Sequence, residues 1–346
     1  MALAGFGKTQ IRYDMFDLAK SAEEAKRFGK CERIYHRGQE IAWDGKALLS
    51  SLVEEHGGIH LDPVKAEAVK RIFAIILWGE LAAWKISAQL ADSLVPLEAK
   101  MAATSQAHDE ARHFYVMHDY LQQLGYNPER MDRAPQALLD LVLQTTNPAY
   151  KLLGMQLMIE TLALTIFQTV RELDVEPVLT ELMKYYERDE ARHVGLGMQY
   201  LPSLMKGMNR RQVSALITFQ CRLLFWALYE LKVLEPDLRT LGIEPRDVLE
   251  RGRRKQVAAL NAAFGVLGIP FDRDRNPMVM VLNGAVEFLF PDPAAGRRPL
   301  RSTFESAWRA FWKPVGPVAD DELDVHGRHA IRTARGGGAG ADRVGA

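Results

Sequence analysis

The pentapeptide Asp-Glu-Ala-Arg-His occurs twice, at Asp109–His113 and at Asp189–His193, 80 residues apart. Residues three apart on a helix project from one side, so each copy presents a glutamate and a histidine together: Glu110 with His113, and Glu190 with His193. The same offset of 80 relates Glu80 to Glu160, each an isolated acid in an apolar stretch. Four carboxylates gathered inside a protein would repel one another and lose their hydration, so they must protonate or find positive charge. Two divalent cations balance them. Carboxylate and imidazole without thiolate favour borderline transition metals such as iron or manganese. A pair of irons can share the delivery of two electrons to dioxygen.

The spacing also dictates the elements that carry these groups. Glu80 and Glu110 are 30 residues apart with Val95 at their midpoint, beside Pro96; Glu160 and Glu190 are 30 apart with Val175 at theirs, just before Pro177. In an antiparallel helical hairpin, residues equidistant from the turn lie level, here about 22 Å from it at roughly 1.5 Å per residue. Each hairpin therefore sets a glutamate opposite a Glu-x-x-His pair, and two packed hairpins converge all six groups on one layer. Helical periodicity and Pro, Gly and Asn punctuation predict four long helices at 64–94, 97–124, 149–173 and 177–200. Further helices are expected at 210–234, 244–267 and 278–290. No series of alternating strand patterns interrupts them, so the fold class is all-α, a four-helix bundle with additional N- and C-terminal helices.

Residues 1–63 read as an N-terminal extension of loops and short helices, 64–205 as the bundle, 206–293 as helices packed on it or forming a dimer interface, and 294–346 as a segment flexible at its end. Of 346 residues 48% are hydrophobic, enough for a large core. The 44 basic side chains balance 44 acidic ones, which removes the electrostatic case for nucleic acid. Cys31 and Cys221 stand far apart and form no metal knuckle, which suits a reducing cytoplasm. The apolar run 152–170 approaches a bilayer's thickness, but the unpaired Glu160 at its centre argues for a buried helix and against a membrane span.

Asp109 and Asp189 are expected to orient imidazoles, since a ligating histidine commonly donates its remaining N–H to a carboxylate. Geometry across the bundle would pair Asp109 with His193 and Asp189 with His113, with Arg112 and Arg192 neutralising the aspartates.

The layout Glu80, Glu110-x-x-His113, Glu160, Glu190-x-x-His193 resembles the ferritin-like di-iron carboxylate superfamily, over roughly residues 64–203. That resemblance implies two iron ions, or manganese with iron, held by Glu80, Glu110, His113, Glu160, Glu190 and His193, and activation of dioxygen. Storage ferritins resemble a bare bundle about half this length and usually lack the second histidine. Rubrerythrin-like proteins add a CxxC module absent here. In the ribonucleotide reductase small subunit a radical tyrosine generally lies four residues after the first histidine, where this chain has Met117. An oxygenase or oxidase remains: a hydroxylase, desaturase or N-oxygenase acting on a small hydrophobic or aromatic molecule. The alternatives are a reductase-like radical protein and an iron-storage protein. With no flavin or iron–sulfur motif, an external electron-donor protein is expected, and a homodimer. Leu77, Trp84, Gln106, Phe114, Gln156 and Leu164 fall within a turn of the ligands and are candidates for the pocket. Oxygenases of the superfamily often place Thr three or four residues after the third ligand, where Ala163 and Leu164 stand, with Thr161 and Thr165 just off the pattern. Glu187, one turn before Glu190, is a further candidate ligand; Tyr115, Tyr120, Tyr186 and Tyr200 are read as packing, His108 and His118 as surface or core histidines.

Overall fold

A computed structural model describes residues 18–266, 276–292, 296 and 299–314. In chain order the helices are α1 (Leu18–Glu40), α2 (Gly45–Glu55), α3 (Pro63–Ser93), α4 (Leu97–Gln123), α5 (Arg133–Gln144), α6 (Pro148–Lys151), a π-helical segment (Leu152–Ile159), α7 (Glu160–Glu172), α8 (Pro177–Met205), α9 (Arg210–Val233), α10 (Glu235–Thr240), α11 (Pro245–Val266), α12 (Pro277–Leu289) and α13 (Leu300–Phe311). No strand occurs among the described residues. The fold is the expected all-α bundle: α3 and α4 form one hairpin, and the continuous rod of α6, the π segment and α7 forms the other with α8.

Local chemistry fixes where these helices begin. Asp62 accepts from the amides of Val64 and Lys65, with Pro63 in the first turn of α3. Asn147 caps α6 before Pro148, and the Glu176 carboxylate accepts from Leu179 N at the start of α8. Each pairs an acceptor for orphaned amides with a proline whose missing N–H costs nothing there. The α7–α8 turn uses Asp174 in the left-handed region, at φ 48°, a conformation aspartate tolerates better than most residues.

Several features depart from the sequence expectation. Helix α8 runs through Pro202 to Met205 instead of ending at Tyr200; burial of Tyr200, Leu201 and Pro202 holds the last turn together despite the lost hydrogen bond. Residues 18–40, expected as short helices and loops, form α1, two helical stretches joined at a kink at Phe28 with no loop between them, and α1 packs on α4 and α8. Helices α5, α10 and α13 were not anticipated, and neither was the π segment immediately before Glu160. The glycine-rich end of the chain, expected to be flexible, lies outside the described residues.

The N-terminal chain reaches the bundle through close approach. A Cβ at Gly38 would overlap Ser105 Oγ of α4, and one at Gly45 would overlap Val116 Cγ2 and crowd Tyr115. Glycine at both positions lets residues 38–45 lie against α4. On the other side, α9 and α11 pack on the π segment, and α11 also on α7 and α8. Helix α3 and the 148–172 rod are long and apolar enough to cross a membrane, yet each carries a buried glutamate into the bundle, and half or more of each apolar window is covered by protein.

Candidate metal centre

The six residues singled out by spacing meet in the middle of the bundle, all buried. Glu80 comes from α3, Glu110 and His113 from α4, Glu160 from α7, Glu190 and His193 from α8. Their potential ligand atoms fall into two groups, each within 4.8 Å: Glu80, Glu110, His113 and Glu190, then Glu110, Glu160, Glu190 and His193. Glu110 and Glu190 belong to both. His113 Nδ1 lies 3.5 Å from Glu80 Oε2, 3.5 Å from Glu110 Oε2 and 3.1 Å from Glu190 Oε1. His193 Nδ1 lies 2.9 Å from Glu110 Oε1 and 3.1 Å from Glu190 Oε2.

The donor set fits a pair of divalent metals. His113 Nδ1, Glu110 Oε2 and Glu190 Oε1 are buried without a hydrogen-bond partner, a costly condition unless a cation receives them. Protons stand in for that cation in the metal-free chain. Burial, reinforced by the neighbouring glutamates, pushes the Glu80 and Glu160 carboxyls up. Burial alone would lower the two histidines, but the carboxylates around them win and raise both. Those imidazolium charges hold Glu110 and Glu190 below the usual range against burial.

Outside the histidines lies a crossed layer of charge. His113 Nε2 is 3.3 Å from Asp189 Oδ2 of the opposite helix, and His193 Nε2 is 3.3 Å from Asp109 Oδ2. Arg112 donates to Asp109 at 2.6 Å and to Asp189 at 2.8 Å; Arg192 donates to Asp189 at 2.7 Å and to Asp109 at 2.6 Å. Burial would raise both aspartates, but the hydrogen bonds and arginine charges hold them well below the normal carboxylate range. Two arginines and two aspartates compensate one another where an isolated charge would be prohibitive.

The two ends of the centre differ. Tyr186 stacks on the His113 ring at 4.2 Å between centroids and donates its hydroxyl hydrogen to the His113 carbonyl at 2.6 Å. Trp43, from the α1–α2 connection, donates its indole N–H to Asp189 Oδ2 at 2.7 Å and lies under the Arg112 guanidinium at 4.7 Å. Gln106, 80 residues before Tyr186, instead donates to Glu110 at 3.1 Å and Glu160 at 2.9 Å, and its own oxygen accepts from Gln156. Trp43 escaped sequence reasoning altogether, since it is 146 residues from Asp189 and sits in a segment with no motif.

The remaining candidates sort cleanly. Leu77, Leu164, Gln106 and Gln156 are buried around the cluster, whereas Trp84 is 40% exposed, its ring tilted at 42° to that of half-buried Phe114. Glu187 is no additional ligand in this geometry: Arg171 Nε donates to it at 2.6 Å, and it joins neither group. Thr161 and Thr165 spend their hydroxyl hydrogens on the carbonyls of Leu157 and Thr161. Tyr120 donates to Glu176, Tyr200 packs on Phe28, and Met117 is wholly buried. His118 contacts Asp119 and His108 stands beside Arg112 and Asp109, both away from the cluster.

Residues 86–262 match the model of a family described as P-aminobenzoate N-oxygenase AurF. The curated proteins include no match to the chain.

Proposed function

Because the chain belongs to the p-aminobenzoate N-oxygenase AurF family, whose model spans just over half of it, and is thus a di-iron oxidoreductase that uses dioxygen, we propose that it oxidises the nitrogen of a small aromatic amine. The observation that carries this reading is the pair of four-residue groups sharing Glu110 and Glu190. Glu80 and His113 would hold one iron, Glu160 and His193 the other, and Glu110 and Glu190 both. Glu80 lies just outside the matched stretch, so its part rests on geometry.

When bound, the iron pair supplies electrons to dioxygen and directs an oxygen atom to the substrate. The chain's own residues create the conditions for that chemistry. Asp109 and Asp189 accept from the Nε2–H of His193 and His113, which turns both Nδ1 atoms toward the carboxylates. Gln106, steadied by Gln156, holds Glu110 and Glu160 through its amide hydrogens. The Thr161 and Thr165 hydroxyls donate to the backbone carbonyls of Leu157 and Thr161 and not to the carboxylates. The apolar side chains of Leu77 and Leu164 exclude water from the layer. A Cβ placed on Gly79, the residue before Glu80, would meet no atom within 4 Å beyond its own helix and chain neighbours, and we propose that the aromatic ring enters there.

The supply of electrons by a separate reductase, a cytoplasmic location and a homodimer belong to the same proposal. Two free cysteines suit a reducing compartment. An apolar face of α13, with Phe304, Trp308 and Trp312 each more than half exposed, suits burial against a second copy.

The test is anaerobic loading with ferrous iron, then exposure to dioxygen with 4-aminobenzoate and a chemical reductant. The expected result is two irons per chain and conversion of the amine to its hydroxylamine or more oxidised forms. Uptake of many irons per chain without substrate-linked oxygen consumption would instead indicate storage.

A further inference from the structure

A second cleft lies behind the helix that carries Glu160. Met158 and Leu162, two residues to either side of Glu160, sit roughly 160° around the helix from it, and both line this cleft. Its other walls come from α9, α11 and α12, among them Leu224, Leu228, Leu249 and Leu282. The cleft's cavity volume is about 80 Å³, well below the roughly 300–1,000 Å³ of drug-sized pockets, so it suits only a small ligand of about one ring. The rod of α6, the π segment and α7 thus separates two chambers: the metal layer on one side and this apolar cleft on the other.

The wall is hydrocarbon apart from three polar side chains. Thr161 is spent on the Leu157 carbonyl. The other two are Arg253 and Gln256 on α11, three residues apart and therefore on the same side. Gln256 is 7% exposed, and its Nε2 is buried without a hydrogen-bond partner. Arg253 is anchored by Nη1 to Asn283 Oδ1 at 2.6 Å, while its Nε is likewise buried without a partner. Two N–H donors thus border an apolar cleft with nothing to accept from them, and leaving buried donors unmade is unfavourable. Of the charges acting on Arg253, Glu250 is the largest, ahead of Arg254 and Arg246, and Arg246 is itself paired with Glu287 at 3.0 Å and Glu250 at 3.4 Å, which leaves the Arg253 guanidinium as the cation that borders the cleft.

We propose that this cleft is a second small-molecule site, separate from the metal centre, which takes an apolar monocarboxylate. The carboxylate accepts from Arg253 Nε and Gln256 Nε2, and the hydrocarbon body lies against the leucines of α9, α11 and α12. Matching an anion to a charged donor and a ring or alkyl body to an apolar wall uses both halves of the observed chemistry. The inference does not depend on the reaction proposed above, because the ligand needs no amine.

Isothermal titration of the full-length, ferrous-loaded chain with benzoate under nitrogen tests it. Benzoate has no amine to oxidise, so binding is read without turnover. Filling the cleft with Ala227→Phe, or from a different helix with Leu249→Phe, should weaken benzoate by about tenfold or more, while Gly79→Leu on the metal side leaves this binding unchanged. Arg253→Met and Gln256→Leu should each weaken benzoate by about tenfold but leave uncharged benzyl alcohol nearly unaffected. Helical circular dichroism and two irons per chain verify that each variant folds. The proposal is overturned if wild-type protein takes up no benzoate at millimolar concentration, if Gly79→Leu abolishes binding while both filling variants retain it, or if Arg253→Met and Gln256→Leu bind benzoate as wild type does.

Discussion

Asp109, on α4, sets its Oδ2 3.3 Å from Nε2 of His193 on α8, and the relation is returned by Asp189 to His113. Each histidine is thus aimed by the helix opposite its own. Asp109→Asn keeps the shape but leaves Arg112 and Arg192 with one negative charge between them. Breaking a buried charge network of this kind costs about 3–5 kcal/mol, so denaturant unfolding should show a loss of that order. Iron affinity should fall by about 10–100-fold; an unaltered affinity would mean the carboxylate does not orient the ring.

Trp43 acts at one end of the centre only. In Trp43→Phe the ring stays over Arg112 but the N–H to Asp189 is gone. Iron titration followed by Mössbauer spectroscopy should then find one of two sites weakened by about tenfold and the other unchanged. Equal weakening of both would show that Trp43 supports the bundle as a whole.

Shared and unshared carboxylates should behave differently. Glu110→Ala and Glu190→Ala each remove a group common to both clusters, and metal analysis should find neither iron retained stoichiometrically. Glu80→Ala touches one cluster and should leave one iron per chain. Two irons in Glu110→Ala would sink the assignment.

The metal-free protein should be sensitive to alkali. His113 and His193 are raised in the fold, with burial overcome by their carboxylate neighbours. Their stabilising contribution is complete below the unfolded imidazole value of about 6.5 and fades as pH climbs through the folded values. Asp109 and Asp189 are depressed, so theirs is present above about 3.9 and fades as pH falls through the folded values. Melting temperatures in chelator should therefore decline on the alkaline side, and iron, which displaces the imidazole protons, should flatten that decline. A metal-free melting temperature that rises steadily through the alkaline range would contradict this protonation pattern.

Gly79→Leu fills the open space beside Glu80 without touching a proposed ligand. Iron content should be unchanged, whereas oxidation of 4-aminobenzoate should slow with a raised KM. A normal KM would place substrate entry elsewhere.

The ligand layer was legible because it obeys two short-range rules, three-residue helical spacing and equal distance from a turn, applied twice at an interval of 80. The crossed Asp–His pairs followed from the same antiparallel geometry. Trp43 was not legible, since its bond to Asp189 depends on Gly38 and Gly45 letting a distant segment lie on α4. The π segment was hidden because Leu152–Ile159 has the composition of any buried helix. Arg253 and Gln256 belong to no motif in the sequence, and only the packing of α11 on α7, α8 and α12 brings them to the cleft.

The offset that makes the two hairpins alike also marks where they stop being alike. Position 106 is glutamine and position 186 is tyrosine, one donating to carboxylates, the other stacked on an imidazole. A true twofold assembly of identical hairpins would be obliged to give both metals the same neighbours. Joining the halves in one chain lifts that obligation, so the residues that would hold the two irons present them with unlike surroundings, and a single bound iron would find the two ends unequal.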